Sequence, residues 1–178
     1  MNILVISDSH GFLPTLTSVP DVVFLLGDID YYELRKIDKL FTCPKFGVLG
    51  NHDGPDFFDE TSIQNVHEKI VQWNGYTIGG FGGCPRYNKR NILQFHEQEA
   101  AAFVNNAPRV DFFLAHSNPQ FELNNDLSDA HRGFRCFSHY IYQKQPAYFF
   151  HGHIHEADSY EANETTIISV YPTHLLTI

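Results

Sequence analysis

Asp8 and His10 sit one residue apart, Asp28 follows Gly27, Gly50-Asn51-His52-Asp53 stands as one block, His116 is alone, and Gly152-His153-Ile154-His155 comes near the far end. Carboxylates, an amide and imidazoles are oxygen and nitrogen donors. With no thiolate among them they suit Mn, Fe, Zn, Co or Ni rather than a soft-metal site. Two ions about 3.5 to 4 Å apart can share one carboxylate, polarise phosphoryl oxygens and activate a water. Hydrolysis of a phosphate ester near neutral pH needs both effects, because the substrate is an anion that resists attack. Asp-x-His and His-x-His are each expected about 0.7 times by chance at this composition and weigh little singly, whereas Gly-Asn-His-Asp is expected about 0.003 times.

The elements that must position these residues are short apolar runs. Residues 3–6, 22–26, 46–49, 112–115 and 148–150 are of strand length and apolar throughout, the pattern of strands buried on both faces. Each run leads into one of the polar blocks. In open α/β sheets ligands gather beyond the carboxyl ends of the strands, so five such ends can bring Asp, Asn and His to one site. Helices are predicted over 31–41, 97–105 and 130–143, and their alternation with strands argues for an α/β architecture. Strands over 66–73 and 76–81 flank Asn74-Gly75, a two-residue hairpin signal. The tail, 159–178, reads as short strands with Asn163 in a turn and Pro172 as an interruption. The connection 11–21, with Pro14 and Pro20, is short for a parallel crossover and leaves room for a turn or two of helix. No repeat or linker divides the sequence, so 1–178 reads as one domain.

The chain has 178 residues, with 12 Lys plus Arg against 21 Asp plus Glu, a net charge of −9. Such a surface repels polyphosphate backbones and disfavours binding of long nucleic acid. The longest apolar runs are far below the roughly 20 residues that cross a bilayer, so no membrane partner is expected. The start of the sequence lacks a basic leader and runs straight into a strand, which points to a cytoplasmic protein. Three widely spaced cysteines, Cys43, Cys84 and Cys136, fit neither a disulfide framework nor a metal knuckle and read as reduced, structural thiols.

In order and spacing, these blocks resemble the signature of the calcineurin-like metallophosphoesterases: Asp-x-His, Gly-Asp, Gly-Asn-His-(Asp/Glu), a lone His, then Gly-His-x-His. The match spans residues 8–155, and 83–87 and 131–134 are similar to segments of small bacterial and phage members. The resemblance implies an α/β fold, a four-layer αββα sandwich of two packed mixed β-sheets flanked by helices. It implies a dimetal-dependent hydrolase of a small phosphodiester or phosphomonoester, such as a nucleotide or cyclic nucleotide, acting through a hydroxide that bridges the metals. Under it, Asp8, His10, Asp28 and His155 hold one ion, and Asp28, Asn51, His116 and His153 hold the second, with Mn favoured. His52 stands over the leaving group as general acid or as donor to a phosphoryl oxygen, and Asp53 orients it; Asn51 and His52 thus face the substrate. Asp8 and Asp28 bring −2 against the +4 of two divalent ions, so the site is cationic inside an acidic protein. Ligand imidazoles must be unprotonated, so metal occupancy and activity are expected to fall together below about pH 6.

Other residues carry open readings. Arg86 lies on a loop that can reach the substrate, although turn chemistry alone explains the preceding glycines. His131 and Arg132 either contact the substrate phosphate or base, or form the solvated start of a helix. His151 reads as a packing residue, Asp30 as near the site without being a ligand, and His67, His96, His139 and His174 as exposed or hydrogen-bonded. Two alternatives compete with the small-ester hydrolase: a nuclease, disfavoured by the −9 charge, and a metal-binding scaffold of the same fold that has lost catalysis. The presence of His52 with every proposed ligand speaks against the scaffold.

Overall fold

Alternate residues of a strand point to opposite faces, and in this chain both faces of the apolar runs are covered, which builds the layers. The computed structural model describes residues 1–12, 19–89, 92–121 and 128–178. In β1 (Asn2–Ile6) and β2 (Val22–Leu25), Ile3, Val5, Val22 and Phe24 enter one apolar cluster, while Leu4, Ile6, Val23 and Leu25 enter another. These strands continue into β3 (Lys45–Gly47) and β4 (Ile63–Asn65), all parallel, and β13 (Thr173–Thr177) closes the other edge antiparallel to β1.

The second sheet runs in the order β11 (Asp158–Ala162), β12 (Thr165–Ser169), β10 (Tyr148–His151), β9 (Phe112–Ala115), β6 (Tyr76–Phe81), β5 (Lys69–Trp73). It is parallel at its centre and antiparallel at both edges. Phe112 and Leu114 join Ile3 and Phe24 in the cluster between the sheets, whereas Phe113 and Ala115 face outward. On the outer face of the first sheet, Leu34 and Ile37 of α1 (Tyr31–Leu40) cover Leu4 and Ile6. On the outer face of the second, α2 (Glu97–Val104) and α3 (Arg135–Lys144) bring Ala100, Val104, Phe137 and Ile141 onto Phe113 and Phe149. The result is the four-layer αββα arrangement of two mixed sheets.

Departures from the expected elements have local causes. Helix α3 begins at Arg135, not near 130. Gly133 adopts φ +77°, where a Cβ would lie 2.4 Å from the Asn118 carbonyl oxygen, and Phe134 bridges to Pro119. The carboxylate of Glu97 then accepts the Cys136 N–H at 2.7 Å, capping α3 from the start of α2. Strand β5 begins at Lys69 because Glu68 turns at φ 53°. Strand β4 and the two-residue pair β7 (Cys84–Pro85) and β8 (Gln94–Phe95) are too short to show a period in sequence. The hairpin turns at Asn74-Gly75, both at positive φ, and Asn163 turns at φ 55°. Of the short connection 11–21, residues 13–18 lie outside the described residues. The three cysteines are free thiols, and no described helix is long and apolar enough to cross a membrane.

Candidate metal centre

The blocks that follow β1, β2 and β3 of one sheet meet those that follow β9 and β10 of the other. The ligand atoms of Asp8, His10 and His155 lie within 4.8 Å of one another, and so do those of Asp28, His116 and His153. In the first group the Nε2 atoms of His10 and His155 are 3.3 Å apart, and His155 Nε2 is 3.3 Å from Asp8 Oδ1. In the second, His116 Nε2 is 3.5 Å from Asp28 Oδ2 and 2.9 Å from Asn51 Oδ1. All seven residues read as metal ligands are therefore brought together in two adjoining groups, with Asp28 in the second.

The backbone is forced into this geometry. Asp8, His10, Asp28, His153 and His155 all have positive φ, between 44° and 70°. L-residues seldom adopt that region, and such strain persists where the surrounding structure over-determines it, typically at functional sites. Two glycines permit the close approach. A Cβ on Gly152 would lie 1.9 Å from Ser7 Oγ and 2.3 Å from Asp8 Oδ2, and one on Gly50 would lie 2.1 Å from Asp28 Oδ1.

Backbone groups aim the side chains. A carbonyl oxygen only accepts, so His116 Nδ1, 2.8 Å from Leu26 O, carries a proton and leaves Nε2 toward Asp28 and Asn51. His153 Nε2 is held in the same way by Ala130 O at 2.7 Å, leaving Nδ1 with the free lone pair. Asp8 Oδ2 accepts the His153 N–H at 2.8 Å and the Ser7 hydroxyl, while Asp8 Oδ1 is buried with no hydrogen-bond partner. That oxygen, 3.3 Å from His155 Nε2, the paired imidazole nitrogens of His10 and His155, and the Asn51 oxygen facing His116 form a donor set that a cation would satisfy.

The calcineurin-like phosphoesterase superfamily domain model matches residues 1–172. The chain belongs to that superfamily. Solved structures share its fold. The phosphopantetheinyl hydrolase of Mycobacterium tuberculosis is 16% identical and superposes with a TM-score of 0.65 over 96% of this chain and 89% of its own. The protein TT1561 of Thermus thermophilus is also 16% identical, with a TM-score of 0.64 over the same shares. No curated protein sequence matches the chain. Members of this calcineurin-like superfamily bind divalent metals, which fits the donor set.

Charge follows from burial and neighbours. Burial pushes the Asp8 carboxyl up, but the His155 and His116 rings and the Ser7 hydroxyl outweigh it and bring its pKa down to about 2. Burial opposes charge on His116, yet the carboxylates of Asp28, Asp8 and Asp53 raise its pKa. Burial brings His153 down to about 3 and His151 down to about 4, so both rings are neutral. His155 is raised, first by its contact with Asp8.

The remaining predicted residues are placed as follows. The His52 backbone N–H donates to Asp28 Oδ1 at 2.8 Å, and its exposed ring stands 5.9 Å from the His10 ring. Asp53 is buried and its Oδ2 accepts the N–H groups of Gly50 and Asp28. His131 sits edge-on to His153 at 4.9 Å and 6.4 Å from His155, so it overlooks both groups. The guanidinium groups turn to backbone: Arg86 donates to Gln94 O and Arg132 to Arg86 O, at 3.4 and 3.5 Å. Asp30 caps α1 through the Tyr32 N–H. Sequence reasoning missed Ser7, which fixes Asp8, and Glu33, whose Oε2 accepts the Ser9 hydroxyl at 2.6 Å and the Gly11 N–H at 3.2 Å. The bonds of Glu33 reach Ser9 and Gly11 across 24 and 22 residues, and nothing in the sequence marks them.

Proposed function

We propose that this chain hydrolyses a small phosphate ester, a diester or monoester, with two divalent ions held by the two ligand groups and Asp28 shared between them. The observation that carries the reading is the convergence of two ligand groups on strained backbone, with the buried Asp8 Oδ1 facing the His155 ring and making no hydrogen bond. Bound ions there would supply polarisation of phosphoryl oxygens and activation of a water nucleophile. The donor set, without thiolate, suits Mn, Fe, Zn, Co or Ni, and Mn is the metal we take for the test. Free thiols support a reducing, cytoplasmic setting.

The chain's own residues divide the remaining work. Leu26 O and Ala130 O hold His116 and His153 in the tautomers that present lone pairs to the site. The exposed His52 ring is free to give a proton to the leaving oxygen or a hydrogen bond to the phosphoryl group, while its backbone stays tied to Asp28. His131, its pKa lowered chiefly by burial and then by His155, stays neutral near pH 7 and can hydrogen-bond a substrate oxygen.

The test is hydrolysis of a chromogenic phosphodiester and its monoester by metal-stripped protein with and without added Mn²⁺. Turnover that appears only with the metal is the expected result, and the ratio of the two rates assigns the substrate class. Two bound ions with no turnover of either ester would overturn the reading in favour of a metal-binding scaffold.

A further inference from the structure

A cavity of about 210 Å³ opens beside the ligand groups, with Asn51 and His52 on one wall, Tyr87, Asn88 and Ile92 on the other, and Gln94 between them. None of the outer wall is needed to hold a metal. Tyr87 and Asn88 are nevertheless held in place. Gln94, only 5% exposed, accepts the N–H groups of Tyr87 and Asn88 on Oε1 at 3.3 and 3.4 Å, and its Nε2 donates to Asn88 Oδ1 at 3.2 Å. The pairing of Cys84 with Gln94 and of Pro85 with Phe95 fixes both ends of the strap. A buried glutamine whose amide bonds both backbone N–H groups and the Asn88 side chain fixes where Tyr87 and Asn88 point.

Two of those side chains are apolar and uncovered: Tyr87 is 37% exposed and Ile92 53%. The Tyr87 hydroxyl lies 3.5 Å from Asn51 Nδ2, while Asn51 Oδ1 faces His116 Nε2 at 2.9 Å. One side-chain amide therefore separates the tyrosine from the ligand groups. Among the described residues that line the cavity there is no Lys or Arg, and Asp53 already accepts two N–H groups. Those described residues offer no counter-charge to a second anion. What they offer is an aromatic face, a branched aliphatic side chain and amides, the surface that a flat, uncharged ring with polar edges would cover. The cavity's volume is below the roughly 300 Å³ at which sites for drug-sized ligands begin, so it suits one ring system.

We infer that Tyr87, positioned by Gln94, and the neighbouring Ile92 form the subsite for a planar ring carried on the substrate's phosphate, and that they select ring-bearing phosphate esters over alkyl ones. The inference rests on the phosphoesterase reading, with the phosphate on the metal groups and the ring in the cavity.

Phenylphosphonate and methylphosphonate carry the same charged group and are not hydrolysed, so calorimetric titration of each into the Mn²⁺-loaded protein isolates the ring. The expected result is tighter binding of phenylphosphonate by about tenfold or more, in line with the stacking of a ring on an aromatic side chain. In Tyr87→Ala the ratio should collapse to within about threefold while methylphosphonate binds as before, and Tyr87→Phe should keep most of the preference. Ile92→Ala provides a second, milder lesion with a partial loss. Equal binding of both phosphonates by the unaltered protein, or a preference unchanged in Tyr87→Ala, overturns the subsite and leaves the phosphoesterase reading standing. Binding of neither phosphonate overturns both.

Discussion

Asp53 Oδ2 accepts the backbone N–H of Asp28 at 2.9 Å and, with the same atom, that of Gly50 at 2.7 Å. One buried carboxylate thus pins together the turns after β2 and β3, and these turns carry Asp28 and Asn51.

That arrangement has a cost in the absence of metal. Burial, and then the Asp28 charge, raise the Asp53 pKa from 3.8 to about 6. A carboxyl with a raised folded-state pKa contributes stability that is complete below 3.8 and is lost as the pH rises through about 6. An asparagine amide oxygen can accept the same two N–H groups without the charge. Metal-stripped Asp53→Asn is expected to melt above the unaltered protein at pH 8, by up to about 3 kcal/mol, with the two converging near pH 4. Asp53→Ala orphans both N–H groups and should cost about 1 to 3 kcal/mol per group at any pH. An Asn variant less stable than the parent at both pH values would show that the charge itself is needed.

Gly152 tests how tightly the first ligand group is drawn. Its Cα faces Ser7 and Asp8 so closely that an added methyl would overlap both side chains. Gly152→Ala should push Asp8 out of the group, destabilise the protein by about 1 to 3 kcal/mol or more, and lower the bound metal measured by elemental analysis. Two ions retained with unchanged affinity would mean that Asp8 is not a ligand.

Much of this was legible in the sequence, for a physical reason. The strands at 3–6, 22–26 and 112–115 are covered on both faces, so they are continuous apolar runs that end abruptly in Asp and His. Runs of that kind mark both the fold and the residues at its strand ends. Asn74-Gly75 was readable because a tight hairpin needs positive φ. The start of α3 was not, since Gly133 and the Phe134 bridge act through Asn118 and Pro119, residues distant in the chain. Gln94, Ser7 and Glu33 were equally hidden. Ser9 and Glu33 are 24 residues apart and Gln94 bonds backbone across its own loop, and neither contact leaves a periodicity. Arg86 and Arg132 each give one N–H to a carbonyl oxygen of that same loop.

His67 gives a pH dependence separate from the metal groups. Its Nδ1 accepts the Gly82 N–H at 2.9 Å, and its ring packs on Phe81 and Phe95. Burial lowers its pKa, outweighing the charge of Glu68 at 4.0 Å, with Lys69 adding to the lowering. The unfolded chain therefore takes up a proton below about pH 6.5 that the folded chain refuses, and stability falls as the pH drops through that value, by at most about 1.4 kcal/mol per pH unit. Melting curves of metal-stripped protein between pH 7.5 and 5.5 should be steeper in pH for the parent than for His67→Asn. Superimposable slopes would remove His67 as their source.

His52 decides whether the site does acid chemistry. Its backbone N–H to Asp28 survives substitution, so His52→Ala should keep its metal while turnover falls by about 10² to 10⁴. If the ring protonates the leaving oxygen, the loss must depend on that oxygen: small for a p-nitrophenyl ester, whose leaving group departs as an anion, and large for an alkyl ester. If the ring instead donates to a phosphoryl oxygen, the loss is equal for both esters, and His52→Gln, which keeps a donor, restores part of it. Loss of metal from His52→Ala would contradict both roles and make the imidazole a ligand.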